Sequence, residues 1–148
     1  MLKTQLAGGA HTGTIGDGAP NMGRVAALVA GDLIVLLFFA ASGRSTHGET
    51  QNLGAIVLTA APFVIGWFLA ATLLRAFGDR GSAATTRPVP LLQRTAPAWL
   101  LGWGVALILR ALVFRGGITP AFAIVALLVN AVLLLGWRGV ASAIFWRA

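Results

Sequence analysis

The chain has 148 residues, of which 57% are hydrophobic and only 10% charged, and its mean hydropathy is +0.85. Soluble domains carry about 25% charged residues, so this composition excludes an ordinary soluble protein and indicates one domain embedded in lipid. The net charge of +7 is spread between apolar runs rather than gathered on one basic face, which excludes a nucleic-acid-binding protein. The chain has no cysteine, so disulfides and Cys-ligated metals are excluded as well.

Residues 1–23 are rich in Gly, Thr and Ala without any periodicity, which predicts a disordered cytoplasmic tail. Four apolar runs follow, so residues 24–138 are predicted to form an all-α four-helix transmembrane bundle and residues 139–148 a short interfacial segment. A secretory signal peptide is the alternative for the first run. The long polar segment that precedes the run, and the position of Asp32 at the start of the apolar core, favour a span that is retained. The predicted spans are 25–43, 53–77, 97–114 and 120–137.

The first apolar run contains one carboxylate, Asp32. The nineteen residues between Arg24 and Arg44 cover roughly 28 Å as a helix, close to the ~30 Å thickness of the hydrocarbon core. An ionisable group at that depth is costly and is normally paired or functional. Arg110 is the other charge inside an apolar span, so we predict that Asp32 and Arg110 form an ion pair that fixes helix register. A proton or ion relay through Asp32, and an Arg110 that reaches the interface unaided, are the alternatives.

The second span carries a proline near its middle, Pro62, followed by Phe63 and Trp67. A proline at this position removes a backbone hydrogen bond and kinks the helix, so the segment is predicted to be a packing seam. The alternative is a tryptophan-lined pocket for an isoprenoid, quinone or pigment. Trp99 and Trp103 lie four residues apart on the third span, which predicts an interfacial pair on one helix face and adds two residues to such a pocket.

Residues 78–96 form the one long polar connection, rich in Gly, Ser, Thr and Pro and with three arginines. We predict a flexible loop that contacts anionic lipids at the inner leaflet, with Leu91-Leu92 on the membrane surface. The third span then begins at Pro97, since proline is favourable in the first helical turn. Trp137 and Arg138 close the fourth span and are predicted to anchor it at the inner interface.

The loop between the first two spans holds a polar cluster of Arg44, His47 and Glu49. One histidine with one glutamate gives too few ligands for a metal site, and no strained turn presents a nucleophile beside the histidine. His47 therefore fits better as a residue that caps the backbone or lines the mouth of a pore. No catalytic residue, metal or cofactor is predicted, and we expect that the chain is not an enzyme.

Four spans place both termini and the connection at 75–96 on one side of the membrane. Eight of the eleven basic residues lie on that side, two lie opposite, and Arg110 lies within a span. Cytoplasmic loops carry the excess of Lys and Arg, so both termini are predicted to be cytoplasmic and the protein a multi-pass component of the cell (plasma) membrane. The eight residues are Lys3, Arg24, Arg75, Arg80, Arg87, Arg94, Arg138 and Arg147.

Five groups of short motifs follow one another along the chain. In this order and spacing they resemble the small prokaryotic membrane proteins grouped as domain of unknown function 3054, over about residues 24–138. The resemblance implies four helices and no established activity, and it supplies no catalytic residue. The motifs are Gly31-Asp32; Gly43-Arg44 with His47-Gly48; Ala61-Pro62-Phe63 with Gly66-Trp67; Ala98-Trp99 leading to Arg110; and Gly136-Trp137-Arg138.

Two classes of non-enzymatic function are compatible with this sequence: a small transport or permeation unit, and an accessory subunit of a larger membrane complex. Four spans are few for an alternating-access carrier, so a transport role implies at least a homodimer. The alternative is a membrane-embedded protein that binds or acts on a lipid-like or isoprenoid ligand. An enzyme of that kind is expected to gather Arg44, His47 and Glu49 around one cleft at the outer surface.

Overall fold

The structure is a computed structural model that describes residues 22–48, 52–78, 88–115 and 117–147. Within these residues the chain forms four α-helices and no strand, so the predicted all-α four-helix fold is confirmed. Each helix is long and apolar enough to cross a membrane. The helices are α1 (Met22–Thr46), α2 (Leu53–Leu73), α3 (Pro88–Leu112) and α4 (Pro120–Arg147).

The four helices pack as a ring in which α1 and α3 each contact both α2 and α4. Consecutive helices run in opposite directions, so the α1–α2 and α3–α4 connections lie at one end, which we call the hairpin end. At this end Arg44 of α1 donates a hydrogen bond to Thr59 of α2. The opposite end, where α1 begins and α4 finishes, is the terminal end, and there the guanidinium of Arg24 lies over the ring of Phe145.

The third helix begins at Pro88, well before the predicted start at Pro97. Proline is tolerated in a first turn because the N–H groups there have no partner inside the helix. The predicted 78–96 loop is therefore shorter than expected, and its residues 79–87 lie outside the described part of the chain. Leu91, predicted on the membrane surface, is buried inside the bundle.

The fourth helix continues to Arg147, so the segment predicted as separate and interfacial at 139–148 belongs largely to α4. The residues that follow Arg138 are mostly apolar, and Ala141 and Ser142 among them are buried in the bundle. Arg138 therefore lies inside a helix rather than at its end. The predicted 1–23 tail lies outside the described residues except for the last two, which begin α1.

Side-chain caps fix where the helices start at the hairpin end. The Asn52 side chain accepts a hydrogen bond from the backbone N–H of Ala55 at 2.7 Å and caps α2. The Thr119 hydroxyl accepts from the N–H of Phe122 at 3.2 Å, directly before Pro120 in the first position of α4. These caps determine the residue at which α2 and α4 each begin at the hairpin end.

Helices α2 and α3 approach most closely at two glycines. A β-carbon on Gly66 would overlap the carbonyl oxygen of Gly102, and one on Gly102 would lie 3.0 Å from the carbonyl oxygen of Gly66. Small residues that let backbones touch are the usual means of helix association in lipid. Glycine at position 66 is therefore a requirement of this crossing, and a β-carbon at position 102 would need the neighbouring backbone to shift slightly.

The outer surface of the ring is apolar. Large side chains on every helix are strongly exposed, among them Ile34, Leu58, Ile108 and Val132, and such a surface matches hydrocarbon rather than water. Together with four helices of spanning length, it makes the chain a multi-pass membrane protein in contact with the lipid bilayer.

Candidate functional site

A carboxylate and a guanidinium meet in the interior of the bundle. Asp32 of α1 and Arg138 of α4 are both fully buried. The Nε of Arg138 donates to Oδ1 of Asp32 at 3.0 Å, and Nη2 donates to Oδ2 at 2.6 Å. Trp67 of α2 donates from its indole nitrogen to the same Oδ2 at 3.1 Å. Paired parallel bonds of this kind are a strong arrangement for arginine with a carboxylate.

The turn that follows α2 and helix α3 supply further partners for the same guanidinium. Its Nη1 donates to the carbonyl oxygen of Ala76 at 2.9 Å and to the hydroxyl oxygen of Thr95 at 3.1 Å. The Thr95 hydroxyl in turn donates to the carbonyl oxygen of Leu91 at 2.7 Å, one turn earlier in α3. One buried residue from each helix thus takes part, and we name the four together the four-helix clasp: Asp32, Trp67, Thr95 and Arg138.

Two aromatic rings enclose the charge of the clasp. The guanidinium carbon of Arg138 lies 4.8 Å from the ring centroid of Trp67 and 4.7 Å from that of Phe77. A cation over an aromatic face is attracted by the ring quadrupole, most strongly where water is excluded. The rings therefore offset part of the desolvation penalty of the buried arginine.

The carbonyl oxygen of Ala76 reaches the clasp because α2 ends in a left-handed turn. Arg75 has a φ of 52°, and its N–H bonds to the Thr72 carbonyl at 3.2 Å. The N–H of Ala76 bonds to the carbonyl of Ala71 at 2.7 Å, which completes a Schellman termination. The turn brings Ala76 back against the bundle, where it is fully buried.

The predicted ion pair between Asp32 and Arg110 is wrong. Asp32 pairs with Arg138, whereas Arg110 donates from Nε to the carbonyl oxygen of Gly117 at 3.2 Å and lies 4.4 Å over the ring of Phe122. The prediction fails because α3 starts at Pro88, earlier than the sequence indicates. Arg110 lies 22 residues after Pro88, roughly 33 Å along the axis, so it reaches the hairpin end instead of the level of Asp32.

The prediction that Trp137 and Arg138 anchor the helix at an interface is also wrong for the arginine. Arg138 is fully buried. Trp137 packs against α1, where a β-carbon on Gly31 would overlap its indole ring. The indole nitrogen of Trp137 finds no hydrogen-bond partner among the described residues. Two adjacent residues of α1, Gly31 and Asp32, thus contact two adjacent residues of α4.

A second polar site is a cavity of about 620 Å³ at the hairpin end, bordered by all four helices. We call it the hairpin cavity. Its polar residues lie nearest the helix ends, and its apolar residues lie mostly about a turn further into the bundle. The polar side chains are Arg44, Thr46, His47, Thr59, Arg110 and Thr119, and the larger apolar ones are Phe39, Phe63, Phe122 and Val125.

The hairpin cavity brings together two residues of the predicted outer cluster, Arg44 and His47, with Arg110. The third member of that cluster, Glu49, lies outside the described residues. Arg44 donates from Nη1 to the hydroxyl oxygen of Thr59 at 3.2 Å, which orients its guanidinium at the cavity wall. Within the described ranges no group of three His, Asp or Glu side chains could hold a metal ion.

The sequence profile of a family described as protein of unknown function (DUF3054) matches residues 29–141, more than half of the chain. The chain belongs to the DUF3054 family. The matched range includes the whole clasp and the residues that line the hairpin cavity. Comparison with curated proteins and with solved structures gave no significant match.

The two tryptophans predicted as an interfacial pair lie inside the DUF3054 bundle. Trp99 donates from its indole nitrogen to the carbonyl oxygen of Leu127, and Trp103 donates likewise to the carbonyl oxygen of Ala123, both at 3.0 Å. Trp99 is almost fully buried. Their spacing of four residues on α3 matches the spacing of four between their acceptors on α4, so the pair joins these helices in register.

The segment of α2 around Pro62 contributes residues to both the clasp and the hairpin cavity. Pro62, Phe63 and Trp67 are all buried. Trp67 belongs to the clasp, while Phe63 lines the hairpin cavity and contacts the rings of Phe39 and Phe122. The tryptophan-lined pocket proposed from the sequence therefore does not correspond to this cavity, whose aromatic residues are phenylalanines.

Sequence reasoning missed Thr95 and the interior position of Arg138. The signal for Arg138 was present, because the apolar residues at 139–145 extend the span beyond the arginine. Thr95 carried no such signal, since it lies in a stretch with prolines, glycine and arginines that is typical of a loop.

Proposed function

We propose that this DUF3054 protein is a non-enzymatic membrane protein that binds a negatively charged ligand in the hairpin cavity. The observation that supports this most directly is the charge of the lining. Two guanidinium groups, those of Arg44 and Arg110, and the imidazole of His47 line a cavity of about 620 Å³. Arginine presents a planar fork of donors that matches the oxygens of phosphate and carboxylate.

The hydroxyl groups of the hairpin cavity support binding rather than covalent chemistry. Thr46 donates its hydroxyl proton to the carbonyl of Gly43 at 2.8 Å, and Thr59 donates to the carbonyl of Ala55 at 2.9 Å. A hydroxyl that acts as a nucleophile instead gives its proton to a neighbouring base. The oxygen lone pairs of both residues are left to accept, as Thr59 does from Arg44.

The clasp has a structural role in this proposal. Both carboxylate oxygens of Asp32 are bound by Arg138, and Trp67 binds one of them as well. A relay needs a carboxylate that can exchange its partners, whereas this one is held by side chains from two other helices, α2 and α4. We therefore infer that the ion pair fixes the arrangement of the bundle and does not carry protons.

The same geometry favours an accessory subunit over an independent permeation unit. The clasp, with its buried Trp67, fills the bundle interior on the far side of the cavity from its polar mouth. With both termini in the cytoplasm, as the arginine distribution predicts, the cavity faces the outer side of the cell membrane. It binds its ligand there and presents it to a partner protein or to a second copy of the chain.

The test uses the purified protein in nanodiscs of zwitterionic lipid, with glycerol 3-phosphate as the anionic probe. The double variant Arg44→Gln/Arg110→Gln is expected to weaken binding at least tenfold, as measured by calorimetry at constant ionic strength. Arg94→Gln removes an arginine of the terminal end, away from the cavity, and is expected to leave binding unchanged. Equal affinity in the cavity double variant and the wild type would overturn the proposal.

A further inference from the structure

We infer that the ligand of the hairpin cavity is an anionic amphiphile, with a phosphate or carboxylate headgroup and one apolar chain. This inference rests on the proposed function and adds the chemical class of the ligand. A cavity of about 620 Å³ is far larger than a lone oxyanion requires and lies within the range of about 300–1,000 Å³ that accommodates drug-sized molecules. The lining residues indicate what fills the remaining space.

The hairpin cavity is layered along the helix axis. On α1, Arg44 lies five residues beyond Phe39, which places its Cα atom roughly 7–8 Å nearer the helix end. On α2, the polar Thr59 and the apolar Phe63 follow the same order in the opposite chain direction. A charged group is therefore recognised near the mouth, while the deeper part offers no charge and binds hydrocarbon.

The deeper layer is a continuous aromatic surface. The ring of Phe63 lies edge-on to Phe39 with the centroids 5.7 Å apart, and lies 6.1 Å from the ring of Phe122. The guanidinium of Arg110 lies over the ring of Phe122, at the end of this row of rings, and is 4.4 Å from its centroid. The polar and apolar layers thus meet at Arg110 and Phe122, the level at which a headgroup joins its chain.

One wall of the cavity is also part of the membrane-facing surface. Val125 lines the cavity, yet 52% of its surface is exposed, and the neighbouring Ala121 is exposed as well. In a bilayer this part of α4 lies against acyl chains. An amphiphile can therefore keep its headgroup between the arginines and extend its chain past Val125 into the lipid, which a fully enclosed site would not permit.

The experiment compares three probes in nanodiscs of zwitterionic lipid. Glycerol 3-phosphate is the headgroup alone, oleoyl monoacylglycerol is the chain without charge, and oleoyl lysophosphatidic acid combines both. Binding of each probe is followed by intrinsic tryptophan fluorescence and by native mass measurement. We expect lysophosphatidic acid to bind at least tenfold more tightly than either of the other two.

Two matched variants examine the chain-binding wall. Val125→Trp fills the cavity beside Phe122, and Val132→Trp places the same ring two turns further along the lipid-facing side of α4, where 71% of the side chain is exposed. Val125→Trp is expected to weaken the binding of lysophosphatidic acid at least fivefold. The affinity for glycerol 3-phosphate is expected to stay within twofold of the wild-type value. Val132→Trp is expected to change neither.

The outcomes separate this inference from the proposal on which it rests. If glycerol 3-phosphate binds as tightly as lysophosphatidic acid, the proposal of an anion-binding cavity is supported, and the inference that its ligand is an amphiphile is wrong. If monoacylglycerol matches lysophosphatidic acid, charge is not recognised and both statements are wrong. Both also fail if no probe binds to a folded protein with the wild-type circular dichroism spectrum.

Discussion

The indole of Trp137 occupies the space above Gly31 that a β-carbon would need. The residues that follow each of them, Asp32 and Arg138, form the buried ion pair. Ring packing and charge pairing between α1 and α4 therefore depend on the same local separation of the two backbones. A change at one contact is transmitted to the other.

We predict that Gly31→Ala destabilises the protein by about 1–3 kcal/mol, the usual result of forcing an extra methyl group into a packed contact. The indole has to move, and its movement separates the guanidinium from the carboxylate. Unfolding in mixed micelles with increasing SDS measures the effect. Gly43→Ala is the control in the same helix, because a β-carbon there meets no atom within 4 Å; equal destabilisation of both variants would contradict the prediction.

The ion pair itself is tested by a double-mutant cycle. Asp32→Asn and Arg138→Gln are each expected to destabilise the bundle by about 3–5 kcal/mol, since each leaves a buried partner without its counter-charge. The double variant is expected to recover much of this loss. Arg110→Gln combined with Asp32→Asn supplies the control cycle, in which the two effects should add. Additive effects in the first cycle would show that Asp32 and Arg138 do not interact.

The close crossing of α2 and α3 gives a third prediction. Gly66→Ala is expected to push the two helices apart, because the new methyl group would overlap the Gly102 carbonyl. The expected destabilisation is again about 1–3 kcal/mol. Gly104→Ala, on α3 but with open space at its β-carbon, should be neutral or slightly stabilising, since alanine is the better helix former. The same thermal midpoint for both variants would rule out this explanation of the crossing.

The tryptophan–carbonyl bonds between α3 and α4 are tested by phenylalanine substitutions. Trp103→Phe removes the indole donor to Ala123 and is expected to destabilise the bundle by about 0.5–1.5 kcal/mol. Trp137→Phe removes an indole nitrogen that has no partner within the described residues, so any destabilisation by this variant measures lost ring packing against Gly31 and not a lost hydrogen bond. Thermal circular dichroism compares the two. A larger loss for Trp137→Phe would indicate that ring shape, not hydrogen bonding, determines stability.

The topology prediction concerns the side of the membrane on which each end lies. Reporter fusions at residues 48 and 85 are expected on opposite sides, with residue 85 in the cytoplasm. Replacing Arg80, Arg87 and Arg94 with Gln should weaken this preference and reduce retention of anionic lipid, because each basic residue near that surface contributes on the order of 1 kcal/mol. Both fusions on one side would contradict the four-span topology, and unchanged orientation and lipid retention would show that these arginines are incidental.

The number and order of the helices could be predicted from the sequence because each helix must be apolar over the thickness of a bilayer. The partner of Asp32 could not. The prolines and arginines of residues 78–96 favour a loop, so the sequence predicts a helix start at Pro97, whereas α3 begins about two and a half turns earlier, at Pro88, and Arg110 lies correspondingly further along its helix. Apolar length locates a span well, but it does not locate the ends when the flanking residues are also compatible with helix.

The candidate site was predicted in parts. Arg44 and His47 were grouped because they are near in sequence, and both line the hairpin cavity. Arg110 joins them from α3, which only the packing of the bundle reveals. The phenylalanines below them carried no signal of their own, since an aromatic residue in an apolar span is equally consistent with lipid contact, core packing or a ligand.

The two halves of the buried ion pair are separated by 106 residues of chain. At about 5–20 residues per second, a ribosome needs about 5–20 s to make the arginine after it has made the aspartate. An isolated aspartate near the centre of a helix costs about 2.5–3.5 kcal/mol to insert. The first helix to be synthesised is therefore less stable in the bilayer by about this amount until the fourth helix supplies the guanidinium, so α1 reaches its full stability only at the end of translation.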